Sequence, residues 1–217
     1  MMGKILILCV VMAAGTVQGQ TRVTEKVDVQ GQSRVSLDIP FADEINLKSW
    51  DEDQVLVEAD VEINGGLDDD IFRLESRTSR NTIHVKMDKD GWQEIFRNCW
   101  GNCLDSKIKL VVYYPKSMTV DAQTINGDYK LDYYGQPARL KTISGDIDLT
   151  VPDKRGVDFR ARTISGEVYS DMDINYPNGT KGLNQFVGVN VKGRIYGGGP
   201  EMTMETISGD IFLRKGK

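Results

Sequence analysis

The segment Thr142-Ile143-Ser144-Gly145-Asp146 decides the fold, because the chain contains it four times in near-identical form. The other copies are Thr124-Ile125-Asn126-Gly127-Asp128, Thr163-Ile164-Ser165-Gly166-Glu167 and Thr206-Ile207-Ser208-Gly209-Asp210. Their intervals are 18, 21 and 43 residues, the last close to twice 21. A degenerate copy, Asn190-Val191-Lys192-Gly193-Arg194 followed by Ile195, falls inside the long interval, so five units fit with an insertion near residues 176–182. Repeats of this length imply a stack of units, each burying its apolar face only against its neighbours.

Alternation around the repeats gives the local geometry. Positions two and four before each Thr are apolar or small: Ala122 and Val120, Leu140 and Ala138, Ala161 and Phe159, Met204 and Met202. After the Gly-acid pair the apolar positions change phase, to Tyr129 and Leu131, Ile147 and Leu149, Val168, and Ile211 and Leu213. Successive strand residues face opposite sides, so a phase change without an inserted residue requires a bend, which Gly allows. The motif therefore reads as a corner between two strands. Gly127, Gly145, Gly166 and Gly209 would stack in one column, with small Thr and Ser filling the inner corner. The Ile after each Thr points the other way, either under a second layer or as a surface stripe.

The same corners align Asp128, Asp146, Glu167 and Asp210 as an acidic column. Stacked carboxylates can bind calcium, and a carboxylate pair can cleave glycosides. Turn chemistry with solvation explains the same residues, since identical turns repeat identical side chains.

Outward from the repeats the pattern stays extended. Val35, Leu37 and Ile39 alternate with polar residues, as do Val55 to Ile63, Ile83 to Met87 and Ile108 to Tyr114. Turn clusters such as Asp51-Glu52-Asp53 and Asn64-Gly65-Gly66 separate them; these are strand and turn signals. Residues 91–106 break the pattern with Trp92, Phe96 and Trp100. They form either an aromatic binding loop or a segment that folds its own rings onto the sheet.

The chain has 217 residues and a net charge of −5. Nucleic-acid binding draws most of its affinity from basic residues on phosphates, and this balance is acidic. His84 is the only histidine, which excludes multi-histidine metal chemistry, and no cofactor is expected. Residues 1–19 run from Lys4 through the apolar Ile5–Ala14 to Gly15-Thr16-Val17-Gln18-Gly19. That is the order of a secretory signal, and its apolar core is shorter than the ~20 residues that span a bilayer. No later segment is apolar enough to cross a membrane, and removal of Lys4 would take the charge to −6. Export leaves Cys99 and Cys103 of the three cysteines. An oxidising compartment favours a disulfide between them, worth only about 2 kcal/mol for so short a loop. Free thiols, or a redox or metal role, are the alternatives.

On the repeats, the chain resembles the putative adhesin family of bacterial exported proteins. Gly197-Gly198-Gly199-Pro200 before the last repeat, Ile45 to Val57 with Trp50-Asp51 between two strands, and Val111-Val112-Tyr113-Tyr114-Pro115-Lys116 strengthen the resemblance. It implies an all-β fold with a parallel β-solenoid and a place in the cell envelope, and it brings no catalytic residues. The organisation expected is a signal at 1–19, an N-terminal β region at 20–115 and a repeat β-solenoid at 116–217, continuous with each other. The function expected is a non-enzymatic exported module, periplasmic, surface-bound or secreted, that binds an envelope protein or glycan. An envelope-stress or regulatory component, and a polysaccharide-active β-helix enzyme, are the alternatives.

Overall fold

The computed structural model describes residues 20–93, 104–176 and 189–216. Its strands in chain order are β1 (Thr21–Asp28), β2 (Arg34–Asp38), β3 (Phe41–Trp50), β4 (Gln54–Ile63), β5 (Leu74–Thr78), β6 (Thr82–Met87) and β7 (Ser106–Pro115). The repeats follow with β8 (Thr119–Gln123), β9 (Asn126–Asp132), β10 (Ala138–Lys141), β11 (Ile147–Val151), β12 (Val157–Thr163) and β13 (Val168–Ser170). The chain ends with β14 (Ile174–Asn175), β15 (Val189–Ile195), β16 (Glu201–Glu205) and β17 (Ile211–Lys215).

These strands build two sheets. Sheet A has the order β1-β4-β7-β3-β9-β11-β17-β13 and sheet B the order β14-β15-β12-β16-β10-β8-β2-β6-β5. Six consecutive-strand pairs cross from sheet B to sheet A: β2/β3, β6/β7, β8/β9, β10/β11, β12/β13 and β16/β17. Each such pair is a rung, and neighbouring rungs pair in parallel in both sheets. The core fills the space between the sheets, with Leu37, Ile45, Leu110, Leu140, Leu149 and Met204 at 1% exposure or less. The alternating apolar residues on both sides of the corner motif are its lining, so the phase change is real.

The sheets are mixed, not parallel throughout as the repeat spacing suggests. β4 runs antiparallel to β7 and β1 to β4, while β5 pairs antiparallel with β6. At the other end β15 runs antiparallel to β12 and β14 to β15. The degenerate copy at Asn190–Arg194 is therefore not a rung. It is β15, the reversed outer neighbour of β12. Its Gly193 lies where a Cβ would fall 2.5 Å from Ile174 and 2.8 Å from Phe159, so a side chain there would collide with both neighbours.

Rung order in space also departs from chain order. β16 lies between β10 and β12, and β17 between β11 and β13. After β15 the chain turns at Gly197 and Gly198, both at positive φ, and returns into this slot. Without β16 and β17, the backbone groups of the two flanking rungs would face each other unpaired, at a cost that buried polar groups do not sustain. The register places Met202 beside Ala138 on one side and Phe159 on the other, which continues the core row. Both sheets also run through residues 115–119, since β3 pairs with β9 and β2 with β8.

Candidate functional site

Of the five corner positions, Thr, Gly and the acid answer to specific contacts within the fold, and the Ile side chain does not. Thr124, Thr142, Thr163 and Thr206 are buried. Each hydroxyl donates to a backbone carbonyl of the preceding rung: Thr142 to Gly127 at 3.3 Å, Thr206 to Gly145 at 3.0 Å and Thr163 to Gly209 at 2.9 Å. Thr124 reaches Pro40 in the same way at 3.3 Å. A buried hydroxyl needs such a partner, and here the partner is supplied by stacking.

The Gly letter is fixed by close approach. A Cβ on Gly145 would stand 2.1 Å from the Gly127 carbonyl oxygen, and one on Gly209 2.1 Å from that of Gly145. Gly166 and Gly127 are equally crowded, at 2.0 and 2.3 Å from the oxygens of Gly209 and Ala42. Gly145 and Gly209 also have φ of 149° and 154°, a region that other residues avoid. The Gly145 amide donates to Ser208 O at 3.0 Å and the Gly209 amide to Ser165 O at 3.1 Å. Ser144, Ser165, Ser208 and Asn126 are exposed, so Thr alone fills the inner corner and the third position turns outward.

The acid letter forms a ladder. The Asp146 amide donates to Asp128 Oδ1 at 2.8 Å, the Asp210 amide to Asp146 Oδ1 at 2.7 Å, and the Glu167 amide to Asp210 Oδ1 at 2.8 Å. Each carboxylate thus caps the next corner in the spatial order. Glu167 ends the run, and its carboxylate beside Tyr169 raises the pKa of that phenol by hydrogen bonding and charge. Among the described residues, no group of three or more His, Cys, Asp or Glu side chains is placed to hold a metal ion.

The Ile side chain takes no part in these bonds, although the carbonyls of Ile125, Ile143 and Ile207 accept from the amides of Ser144, Ser208 and Ser165. Ile125, Ile143, Ile207 and Ile164 are 44, 42, 42 and 43% exposed and stand on consecutive rungs, so they form a surface row. The structure thus selects the stripe over a covering layer. This row borders the outer face of sheet B, because residues two and four before each Ile point the same way. The nearer positions are Gln123, Lys141, Glu205 and Arg162, and the farther ones Asp121, Arg139, Thr203 and Arg160. On β15, Lys192 lies beside Arg160 and Asn190 beside Arg162. Arg139 pairs with Glu205 at 3.6 Å. Lys141, Arg160, Arg162 and Lys192 form no ion pair among the described residues. The four β10 and β12 cations were legible in the sequence at fixed offsets before Ile143 and Ile164, but only once the corner had assigned those offsets to one face.

The aromatic segment divides. Trp92 lies in a short helical turn, 1% exposed, with its ring 5.1 Å from that of Phe41. It is part of the core. Phe96, Trp100, Cys99, Cys103 and the residues of the expected signal at 1–19 lie outside the described residues. No described helix is long and apolar enough to cross a membrane.

Comparison with known proteins bears on the fold. No protein-family model matches the chain, and no curated protein matches it. Among solved structures, a putative cell adhesion protein from Clostridium sporogenes superposes with a TM-score of 0.59 at 12% identity, covering 91% of this chain and 100% of its own. A putative adhesin from Bacteroides fragilis covers 93% of this chain and 100% of its own at 11% identity, with a TM-score of 0.30. The first likeness extends the two-sheet fold to a protein of nearly unrelated sequence.

Proposed function

We propose that the protein is a non-enzymatic, exported binding module of the cell envelope. Its rungs are read as a short β-solenoid capped at both ends by antiparallel strands, and the order of residues 1–19 supports export. The name of the Clostridium protein agrees with an adhesin-like role. One observation carries the reading: the Ile of each corner is repeated four times, and its side chain takes no part in the corner's bonds and stands exposed in register. Exposed apolar residues in a contiguous row mark contact surfaces. The acidic column does not compete for this role, because an oxygen of each Asp is engaged by the amide of the next corner.

The test is sedimentation with isolated bacterial envelopes. The wild-type protein should pellet with them, and Ile143→Thr/Ile207→Thr should remain in the supernatant while keeping its melting profile. Equal pelleting of a folded double variant would overturn the reading.

A further inference from the structure

We infer that the partner of this surface is an anionic lipid bilayer, contacted by the isoleucine row together with the outer face of sheet B. The inference rests on the binding-module reading and names its partner. Two features coincide on one face. The first is the row of Ile125, Ile143, Ile207 and Ile164, each exposed by about two-fifths. The second is the cationic array of Arg139, Lys141, Arg160, Arg162 and Lys192 on β10, β12 and β15, with β16 lying between β10 and β12. Asp121 and Glu205 oppose it within those two rows, Asp121 beside Arg139 in the register and Glu205 in an ion pair with Arg139. The array is concentrated on a chain whose net charge is −5. The outer face of sheet A is different. There four cations are matched by acids, in Arg22–Asp60, Lys107–Glu62, Lys130–Glu44 and Arg214–Asp148, while Lys48 and Lys109 form no ion pair among the described residues.

Charge complementarity selects an anionic partner, and the apolar row narrows it. A soluble polyanion would use the cations and leave the isoleucines idle. A glycan would be expected to stack on aromatic rings, and these two rows carry none. An anionic bilayer uses both features: its surface potential draws Lys and Arg, and its interface accepts an apolar edge flanked by basic residues. Strands about 4.8 Å apart present the isoleucines as a straight edge along the corner.

The test uses the purified protein and sedimentation with vesicles of equimolar phosphatidylglycerol and phosphatidylcholine, set against pure phosphatidylcholine. The protein should partition onto the anionic vesicles at low salt, not onto the neutral ones, and lose binding as salt rises. Lys141→Gln/Arg162→Gln/Lys192→Gln should reduce partition by roughly tenfold or more. Ile143→Thr/Ile207→Thr should reduce it with no change of charge, and Lys48→Gln/Lys109→Gln on sheet A should leave it intact. No partition onto anionic vesicles, or equal loss in the sheet A control, would overturn the proposal. Retention on a sulfated polysaccharide column by wild type and the isoleucine variant alike, without vesicle binding, would overturn it in favour of a glycan. If envelope pelleting stays isoleucine-dependent while vesicles are ignored, the binding module stands and the lipid falls. If envelopes are ignored too, both fall.

Discussion

The corner between β2 and β3 and the corners of the four repeats do the same job with different residues. In the repeats the turn is Thr-Ile-Ser/Asn-Gly-acid. Between β2 and β3 it is Ile39-Pro40-Phe41-Ala42-Asp43, and the register against β9 slips between Phe41 and Glu44. Ile39 takes the buried place of Thr124, with its amide donating to Gln123 O at 3.1 Å. Ala42 takes the place of Gly, and the slip accommodates its Cβ. Pro40 takes the place of the exposed Ile and is buried. The fold therefore accepts Pro as well as Ile at this position, while the Gly, Thr and acid of the repeats each answer to a specific contact. Four isoleucines in register are more than the corner requires.

This difference can be broken by substitution. Gly145→Ala should cost the most, about 3 kcal/mol or more, because its Cβ meets backbone 2.1 Å away and φ is unfavourable. Gly145→Val should be worse still. Ala42→Gly at the equivalent place should cost only ~1 kcal/mol, through chain entropy and a lost methyl. Urea denaturation of the pair measures the contrast, and equal losses would erase the distinction between the two corner types.

Thr206→Val should cost about 1–2 kcal/mol by leaving the Gly145 carbonyl with one partner fewer in a buried place. Ser144→Ala should change stability by less than ~0.5 kcal/mol, since its side chain is exposed and its backbone carries the corner's bonds. Differential scanning calorimetry on the two variants ranks the motif letters directly.

A smaller effect lies where the two regions meet. Glu44 on β3 is held below the usual carboxylate range, first by its hydrogen bond from Lys130 on β9. A depressed carboxylate contributes stability that is present above its unfolded pKa and lost as pH falls through its folded one. Lys130→Met should therefore cost about 0.5 kcal/mol near neutral pH and nothing in acid. Melting curves across that range check the sign.

The strands and the corner were legible because alternation and its phase change are local. Residues such as Val120, Ala122, Tyr129 and Leu131 face inward wherever their rung is placed. Rung order was not legible, since near-identical corners fit together in any sequence and their spacing does not record which rung lies next to which. The interval of 43 residues suggested a fifth parallel unit at Asn190–Arg194. A period-two pattern reads the same in both directions, so it could not reveal that β15 runs backwards. The rungs β2/β3 and β6/β7 escaped notice for the opposite reason: one has a different corner and the other has residues 88–105 in place of one. The sequence left Trp92 open between a binding loop and a ring folded onto the sheet, because composition cannot show that Phe41 packs against it.

The central claim is that the isoleucine row belongs to binding and not to folding, and the stability of Ile143→Thr/Ile207→Thr in urea tests it most directly. Retaining the β-branch while removing apolar surface at half-exposed sites should cost only about 1 kcal/mol in total. A loss comparable with that of Gly145→Ala would contradict the claim and return the isoleucines to the fold.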